Sequence, residues 1–303
     1  MNNYERLEGM VAATFTPMDE NGDVNLSVID KYADWIASTP VKGVFVCGTT
    51  GEFSSLTIDE RKAVLEKWVA SAAKRFKVIA HVGSNCQRDA MELASHAAQT
   101  GADAIASIAP SFFKPGTVDE LVDFFAPICR AASELPFYYY NMPSITGVNL
   151  PVDKFLIEGK KKIPNLVGTK VTHNNLMEMG ACIGLEQHKF EVLHGFDEIL
   201  IAGLSMGAVA GVGSTYNYIP NVYHAIFESM KKNEVETARA WQMKSIRTVE
   251  VIIKYGGGVR GGKAIMKLIG LDCGSCRLPI KAFSTEEYEK LKGDLDAIKF
   301  FEF

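Results

Sequence analysis

The chain has 303 residues, of which 47% are hydrophobic and 22% charged, and its formal net charge at pH 7 is -4. This composition is ordinary for a globular protein, and no basic field favours nucleic acid or an anionic membrane surface as a partner. The N-terminal segment Met1–Arg6 lacks the charged and then apolar layout of a signal peptide, and the apolar stretch Gly203–Gly213 is too short to span a bilayer. We therefore expect a cytoplasmic protein whose partners are small molecules.

Short apolar or β-branched runs recur along the chain at fairly even intervals. They are Val11–Thr16, Gly43–Cys47, Val78–Val82, Ala104–Ile108, Phe137–Tyr140, Leu166–Val171, Phe190–His194 and Gly207–Val212. Near-continuous apolar runs of this length are typical of strands that are covered on both faces. The pattern therefore predicts eight buried strands.

Segments of helical length separate these runs. Ile58–Lys74 follows Thr57, a candidate N-cap with Glu60 three residues later, and Gln87–Thr100 ends at Gly101, a candidate C-cap. Strand and helix alternating eight times predict an α/β protein with a (β/α)₈ TIM barrel fold.

The chain beyond about Asn221 has a helical pattern and no further strand-like run. No Pro-rich or Ser-rich linker separates it from the preceding part. We therefore expect a barrel core at residues 1–220 and a C-terminal helical extension at residues 221–303, packed on the barrel as a single structural unit.

Three groups of residues do not indicate a site. Gly257–Ala264 nearly matches a phosphate-binding P-loop, but it ends in alanine instead of the hydroxyl that binds the metal. Cys273 and Cys276 form one CxxC without a second pair or a nearby histidine, and the six scattered cysteines suit a reducing compartment. The histidines show no ligand spacing, and we interpret His81 and His194 as core residues. No metal site is expected.

The active site of a TIM barrel lies at the C-terminal ends of its strands. Polar groups follow or end five of the predicted strands. They are Gly48–Glu52, Tyr140 with Asn141, Lys170 with Thr172, Gly195–Glu198 and Gly213–Thr215. These residues are the candidates for chemistry.

Lys170 lies among apolar and small residues within its strand. If the strand lines a closed barrel, burial disfavours the ammonium and leaves a neutral amine that attacks a ketone. The alternative is a lysine at the strand mouth with its ammonium in water, and the strand alone leaves both open. Tyr140, beside a turn, is a candidate proton shuttle. The glycine-flanked Thr49 and Thr50 offer N–H groups and hydroxyls that suit a carboxylate.

Three motifs in this order carry a family resemblance: Gly48–Glu52, Tyr140–Pro143 and Gly168–Lys170. Through them the chain resembles, over nearly its full length, the N-acetylneuraminate lyase and dihydrodipicolinate synthase superfamily of barrel aldolases. Members of this superfamily are commonly tetramers, so the resemblance implies a homotetramer. It also implies that no cofactor is needed, since a lysine supplies the electron sink itself.

The resemblance implies a role for four of the candidates. Lys170 forms a Schiff base with a 2-oxo acid, Tyr140 is the acid/base, and Thr49 and Thr50 hold the carboxylate of that acid. Ile145 stands where the synthases carry an arginine for a second substrate carboxylate, which argues against their substrate.

Two further motifs resemble the sialic acid lyases of the superfamily, Gly195–Glu198 and Gly213–Asn217. This resemblance implies cleavage of N-acetylneuraminate to pyruvate and N-acetylmannosamine. It further implies contacts between the protein and the sugar. Asp197, Glu198 and Ser214 orient the sugar, Gly195 offers backbone, and Thr172 supports the aldehyde end.

One position departs from the superfamily pattern. Many members carry, after the fourth strand, a tyrosine that a neighbouring subunit inserts into the proton relay, whereas this chain has Phe112 and Phe113. Two other functions stay open. The first is another class I 2-oxo acid aldolase or dehydratase, acting on a 2-keto-3-deoxy sugar acid or resembling dihydrodipicolinate synthase. The second is an idle regulator that only binds a 2-oxo acid.

Overall fold

A computed structural model describes residues 4–303; the first three residues, which open the segment considered for a signal peptide, lie outside the described part. Eight parallel strands close into a barrel in chain order. They are β1 (Gly9–Ala13), β2 (Gly43–Val46), β3 (Lys77–His81), β4 (Ala104–Ile108), β5 (Phe137–Asn141), β6 (Leu166–Val171), β7 (Glu191–His194) and β8 (Ala210–Gly213). The predicted TIM barrel is confirmed.

Helices surround the barrel and extend the chain beyond it. The first eight are α1 (Val28–Ala37), α2 (Ile58–Ala72), α3 (Gln87–Thr100), α4 (Val118–Arg130), α5 (Pro143–Thr146), α6 (Val152–Lys162), α7 (Leu176–Gly184) and α8 (Leu200–Ser205). The C-terminal part contains α9 (Pro220–Lys231), α10 (Val235–Lys254), α11 (Gly257–Leu268) and α12 (Thr285–Ala297). Over residues 4–303, none of the helices combines the length and the apolar character needed to cross a membrane.

Local sequence determines several helix ends. Thr57 Oγ1 accepts a hydrogen bond from the Glu60 N–H at 3.2 Å, and the Glu60 carboxylate accepts one from the Thr57 N–H at 2.8 Å, which confirms the predicted capping box. Gly101 ends α3 with a φ of +86°. The predicted end of α2 at Lys74 is wrong, because Ala73 and Lys74 have φ values of +47° and +62° and leave the helix.

β4 and β6 have the predicted bounds, and the other six strands differ from them by one to three residues at one end or both, most at the end of β1 and the start of β8. β1 ends before Thr16, because this part of the chain leaves the sheet and the Thr16 hydroxyl donates to the Gly51 carbonyl at 2.7 Å. β8 begins at Ala210 and not at Gly207, because Gly207 has a φ of +100° and lies in the turn before the strand.

Buried apolar side chains form two clusters. One fills the barrel lumen with side chains from all eight strands, among them Val11, Phe45, Ile79 and Leu193. The other lies between the barrel and its helices and includes Trp68. Because the lumen is filled, a substrate reaches the strands only at a mouth of the barrel.

The C-terminal helices are tied to the barrel by a buried ion pair. Lys263 Nζ, in α11, lies 2.7 Å from the carboxylate of Glu52, which follows β2, and neither side chain is more than 3% exposed. Lys263 also donates to the Ser275 carbonyl at 2.9 Å, and Glu52 accepts from the Arg277 N–H at 2.9 Å. The extension is thereby fixed near the C-terminal mouth of the barrel. The domain boundary at residue 220 stays a prediction.

Candidate active site

Two predicted catalytic residues face each other across neighbouring strands. Pairing between β5 and β6 starts with Phe137 opposite Leu166, but the register then shifts by one residue and leaves Val167 without a partner. Beyond this bulge Tyr140 pairs with Lys170. Paired residues of parallel strands point to the same face of the sheet, so the shift brings the phenol and the amine together.

The amine of Lys170 lies among aromatic rings. Its Nζ is 4.0 Å from the centre of the Tyr140 ring and 4.8 Å from that of Phe45. The whole residue is only 5% exposed. Of the two positions that the sequence left open, the structure therefore has the Lys170 side chain buried and not extended into water.

The phenol of Tyr140 is buried beside the turn that follows β2. Its hydroxyl lies 3.3 Å from Thr49 Oγ1 and donates to Met142 Sδ at 3.0 Å. Over residues 4–303, the backbone N–H groups of Thr49 and Thr50 donate to no protein acceptor. This side of the mouth therefore has donors available for an anion.

Gly48 and Gly51 let the backbone of this turn lie close to neighbouring atoms of the protein. A Cβ at Gly48 would lie 2.7 Å from the Phe45 ring, and a Cβ at Gly51 would lie 3.1 Å from a backbone carbonyl oxygen. The left-handed φ values fall instead on the flanking Cys47 and Glu52, at +54° and +55°. The glycines thus let the turn pack directly over the barrel lumen.

A cavity of about 310 Å³ opens at the C-terminal ends of the strands. Its lining includes every site residue predicted from the sequence. They are Lys170, Tyr140, Thr49, Thr50, Thr172, Gly195, Asp197, Glu198 and Ser214. The structure thus brings all nine together around one space.

Asp197 is a buried carboxyl group in the lining of the cavity, and its pKa is raised. It is 6% exposed, and its Oδ2 accepts hydrogen bonds from the Thr215 N–H at 3.0 Å and from the Thr215 hydroxyl at 2.6 Å. Burial raises the pKa of Asp197 to about 6, and Glu198 adds to the rise, while the Thr215 hydrogen bonds and the Lys170 charge oppose it. The carboxyl therefore titrates just below neutral pH.

Two glycines keep space for polar side chains at the mouth. A Cβ at Gly213 would lie 1.5 Å from Asp197 Oδ1, and a Cβ at Gly195 would lie 2.0 Å from Thr172 Oγ1. Neither of these oxygens has a hydrogen-bond partner within residues 4–303, although both are buried. Buried oxygens without partners are costly, so a ligand that bonds to them would be stabilised.

The sequence did not predict the outer wall of the cavity. This wall comes from α10 and from the start of α11, and it is largely aliphatic. The residues are Val249, Ile252, Ile253, Gly258 and Val259. No local signal marks them, because they lie far from the strand ends in the chain. Met142 and Thr215, which also line the cavity, were predicted only as parts of motifs.

His81 and His194 are buried, as predicted for core residues. His81 Nδ1 lies 2.9 Å from the Cys47 carbonyl, and its Nε2 accepts from the Ile108 N–H at 3.3 Å, so this ring links the ends of β2 and β4. Burial lowers the pKa of His194 to about 4 and keeps that ring neutral.

Other residues from the sequence analysis have no place among the predicted site residues. Gly257–Ala264 forms the first turns of α11, and of this segment Gly258 and Val259 line the cavity. Cys273 is buried and Cys276 is half-buried. Phe112 and Phe113 are 77% and 87% exposed. Over residues 4–303, no group of three or more His, Cys, Asp or Glu side chains could hold a metal ion.

Comparison with known proteins agrees with this geometry. The profile of the dihydrodipicolinate synthetase family matches residues 6–298. The chain belongs to this family. The matched residues include the barrel, the residues that line the cavity and the C-terminal helices α9 to α12.

Within the dihydrodipicolinate synthetase family, the chain is similar to several N-acetylneuraminate lyases. The chain is 41% identical over 303 residues to the N-acetylneuraminate lyase of Homo sapiens, covering 99% of this chain and 95% of that relative. Two solved structures have a TM-score of 0.94. The N-acetylneuraminate lyase of Aliivibrio salmonicida is 38% identical, with 98% of each chain covered. That of Proteus mirabilis is 35% identical, covering 98% of this chain and 100% of its own.

Proposed function

We propose that this protein is a Schiff-base-forming aldolase that cleaves N-acetylneuraminate to N-acetylmannosamine and pyruvate. The observation that carries the proposal is the buried amine of Lys170, which lies beside the Tyr140 phenol in a cavity with anion donors on one side and carboxylates on the other. The names of the relatives support the same substrate.

The reaction begins with capture of the open-chain substrate. Its carboxylate binds at Thr49 and Thr50, whose N–H and hydroxyl groups donate to it. The amine of Lys170 attacks the C2 ketone once it has given up its proton, and loss of water gives an iminium ion. The iminium on Lys170 is the electron sink of the reaction, so no metal or organic cofactor is required.

Cleavage requires a base near the C4 hydroxyl. Tyr140, acting as the phenolate or through the substrate carboxylate, removes this proton while the C3–C4 bond breaks. The electron pair of that bond moves into the iminium and forms an enamine, and N-acetylmannosamine leaves as the aldehyde. Protonation at C3 and addition of water then release pyruvate and restore Lys170.

The sugar end is held by the opposite wall. Asp197 and Glu198 accept hydrogen bonds from sugar hydroxyls, Ser214 and Thr172 contribute hydroxyls, and Gly195 contributes backbone. Buried oxygens at Asp197 and Thr172 that lack a protein partner support this assignment, because a polyhydroxylated chain satisfies them.

We propose a homotetramer in the cytoplasm. The exposed Phe112 and Phe113 at the barrel mouth support self-association, because exposed aromatic pairs are common at protein interfaces. All six cysteines are free, and four of them are buried, which suits a reducing compartment. Light scattering of the purified protein tests the assembly.

The function is tested by pyruvate release from N-acetylneuraminate, measured with lactate dehydrogenase, together with identification of N-acetylmannosamine. Release of both products in equal amounts supports the proposal. If no pyruvate is released but borohydride traps pyruvate on the protein, the Schiff-base chemistry stands and the substrate is another 2-oxo sugar acid. If neither is seen, the proposal is wrong.

The titration of Asp197 predicts a pH dependence. Its carboxylate form, which accepts sugar hydroxyls, predominates above a pKa of about 6 and is lost as the pH falls below it. We expect kcat/KM for N-acetylneuraminate to fall up to about tenfold per pH unit below pH 6. In Asp197→Asn this acidic limb should disappear and KM should be higher. A limb that persists unchanged in the variant would assign the titration to another group.

Gly213→Ala should weaken the contacts to the sugar end of the substrate and leave Schiff-base formation with pyruvate intact. The added Cβ would lie 1.5 Å from Asp197 Oδ1, so the carboxylate has to move. We expect kcat/KM to fall about 10- to 100-fold, the effect of misplacing a contact by about 1 Å. Trapping of pyruvate on Lys170 should persist. Gly184→Ala is the control and should behave as wild type, because no atom beyond its chain neighbours and its own helix backbone lies within 4 Å of the added Cβ.

A further inference from the structure

Behind Asp197 lies a ring of buried hydroxyl groups, of which Thr215 lines the cavity and Tyr223 and Ser245 do not. The Thr215 hydroxyl, which donates to Asp197 Oδ2, lies 2.5 Å from the hydroxyl of Tyr223 in α9. The Tyr223 hydroxyl lies 2.8 Å from Ser245 Oγ in α10. Ser245 Oγ in turn lies 3.2 Å from the Asp197 backbone carbonyl, so the ring closes on the residue where it began.

The C-terminal helices also hold the backbone of this loop. Gln242, in α10, donates to the Asp197 carbonyl at 3.0 Å and accepts from the Ile201 N–H at 3.0 Å. Thr215, Tyr223, Ser245 and Gln242 are all buried. Asp197 is therefore fixed at its side chain and at its backbone by elements that follow the barrel.

Two directions of donation fit the single proton of each hydroxyl group in the ring: Thr215 to Tyr223 to Ser245 to the Asp197 carbonyl, or Ser245 to Tyr223 to Thr215 to the Asp197 carboxylate. When Asp197 is ionised the second is favoured, because a hydrogen bond to a charged acceptor is the stronger one. Thr215 has one hydroxyl proton and donates it to the carboxylate, so the short contact with Tyr223 requires Tyr223 to donate to Thr215. Tyr223 has then used its proton, Ser245 donates to Tyr223, and the Asp197 carbonyl keeps Gln242 as its donor. Burial raises the pKa of Tyr223 well above its usual value, which keeps the phenol protonated as a donor.

We infer that Tyr223 is a positioning residue for substrate recognition. By donating to the Thr215 hydroxyl, Tyr223 directs the Thr215 proton to Asp197 Oδ2. Asp197 Oδ1 is then the oxygen that accepts a hydrogen bond from a sugar hydroxyl. The inference rests on the proposed function. Hydrogen bonds in such a chain polarise one another, so the effect of Tyr223 reaches the carboxylate although it contacts no substrate. The helix α9 thereby takes part in substrate specificity.

The test compares Tyr223→Phe with Tyr216→Phe. Tyr216 packs edge-on against Tyr223, with ring centres 4.4 Å apart, and its own buried hydroxyl has no partner within residues 4–303. We expect Tyr223→Phe to raise KM for N-acetylneuraminate about threefold to tenfold, the effect of one lost hydrogen bond. The acidic limb of kcat/KM should move to higher pH, and pyruvate trapping on Lys170 should be unchanged. Tyr216→Phe should match wild type in all three.

Each outcome decides the inference. An unchanged KM and pH profile in Tyr223→Phe, or equal changes in both variants, would overturn it, as would loss of pyruvate trapping. If Tyr223→Phe does not fold, Ser245→Ala removes the donor to Tyr223 and should give the same KM increase and pH shift, and their absence would also overturn the inference. Wild-type protein that traps pyruvate but does not cleave N-acetylneuraminate would refute the proposed function instead.

Discussion

Lys170→Ala is expected to abolish both pyruvate release and borohydride trapping of pyruvate. Among residues 4–303, Lys170 is the only lysine that lines the cavity, so no other amine can form the Schiff base there. We expect turnover to fall by about 10⁴-fold or more, the scale of loss when an enzyme loses its nucleophile. Mass spectrometry after borohydride treatment measures the adduct directly.

The matched control for this variant is Lys160→Ala. Lys160 donates to the Leu166 carbonyl at the start of β6, so it lies near the opposite end of the strand that carries Lys170. Turnover and trapping should both persist in the control. A trapped adduct that survives in Lys170→Ala, at a yield comparable to wild type, would contradict the assignment.

Lys263→Met is expected to lower the free energy of unfolding by about 3–5 kcal/mol. Removing the ammonium leaves the Glu52 carboxylate buried without an opposite charge beside it, with the Arg277 N–H as a remaining donor, and an uncompensated buried charge is strongly destabilising. The Ser275 carbonyl also loses its donor. Because Glu52 follows Thr49 and Thr50 in the turn, kcat/KM should fall as well. Urea unfolding measures the change in stability.

Two controls separate the ion pair from the loss of a lysine. Lys161→Met removes an exposed lysine whose ion pair with Glu158 lies on the surface, and stability should change little. The double variant Glu52→Gln with Lys263→Met carries no buried charge at this place and should recover about 1–3 kcal/mol relative to the single variant. A single variant within 1 kcal/mol of wild type would contradict the predicted role of the pair.

Local sequence determined the architecture of this protein and the composition of its site. Apolar runs that alternate with helical segments allow few arrangements other than a parallel barrel, and a barrel brings the ends of all its strands to one mouth. Polar residues at the predicted strand ends, such as Thr49, Lys170 and Asp197, could therefore be grouped without coordinates. In the structure, all nine site residues predicted from the sequence line one cavity.

The tertiary structure alone decided how these groups meet. The bulge at Val167, which pairs Tyr140 with Lys170 and not with Thr169, depends on how two strands pack and not on the residues of either one. The pairing of Glu52 with Lys263 and the ring through Tyr223 join segments far apart in the chain. Periodicity and turn signals describe only neighbours along the chain, so they carry no information about such contacts.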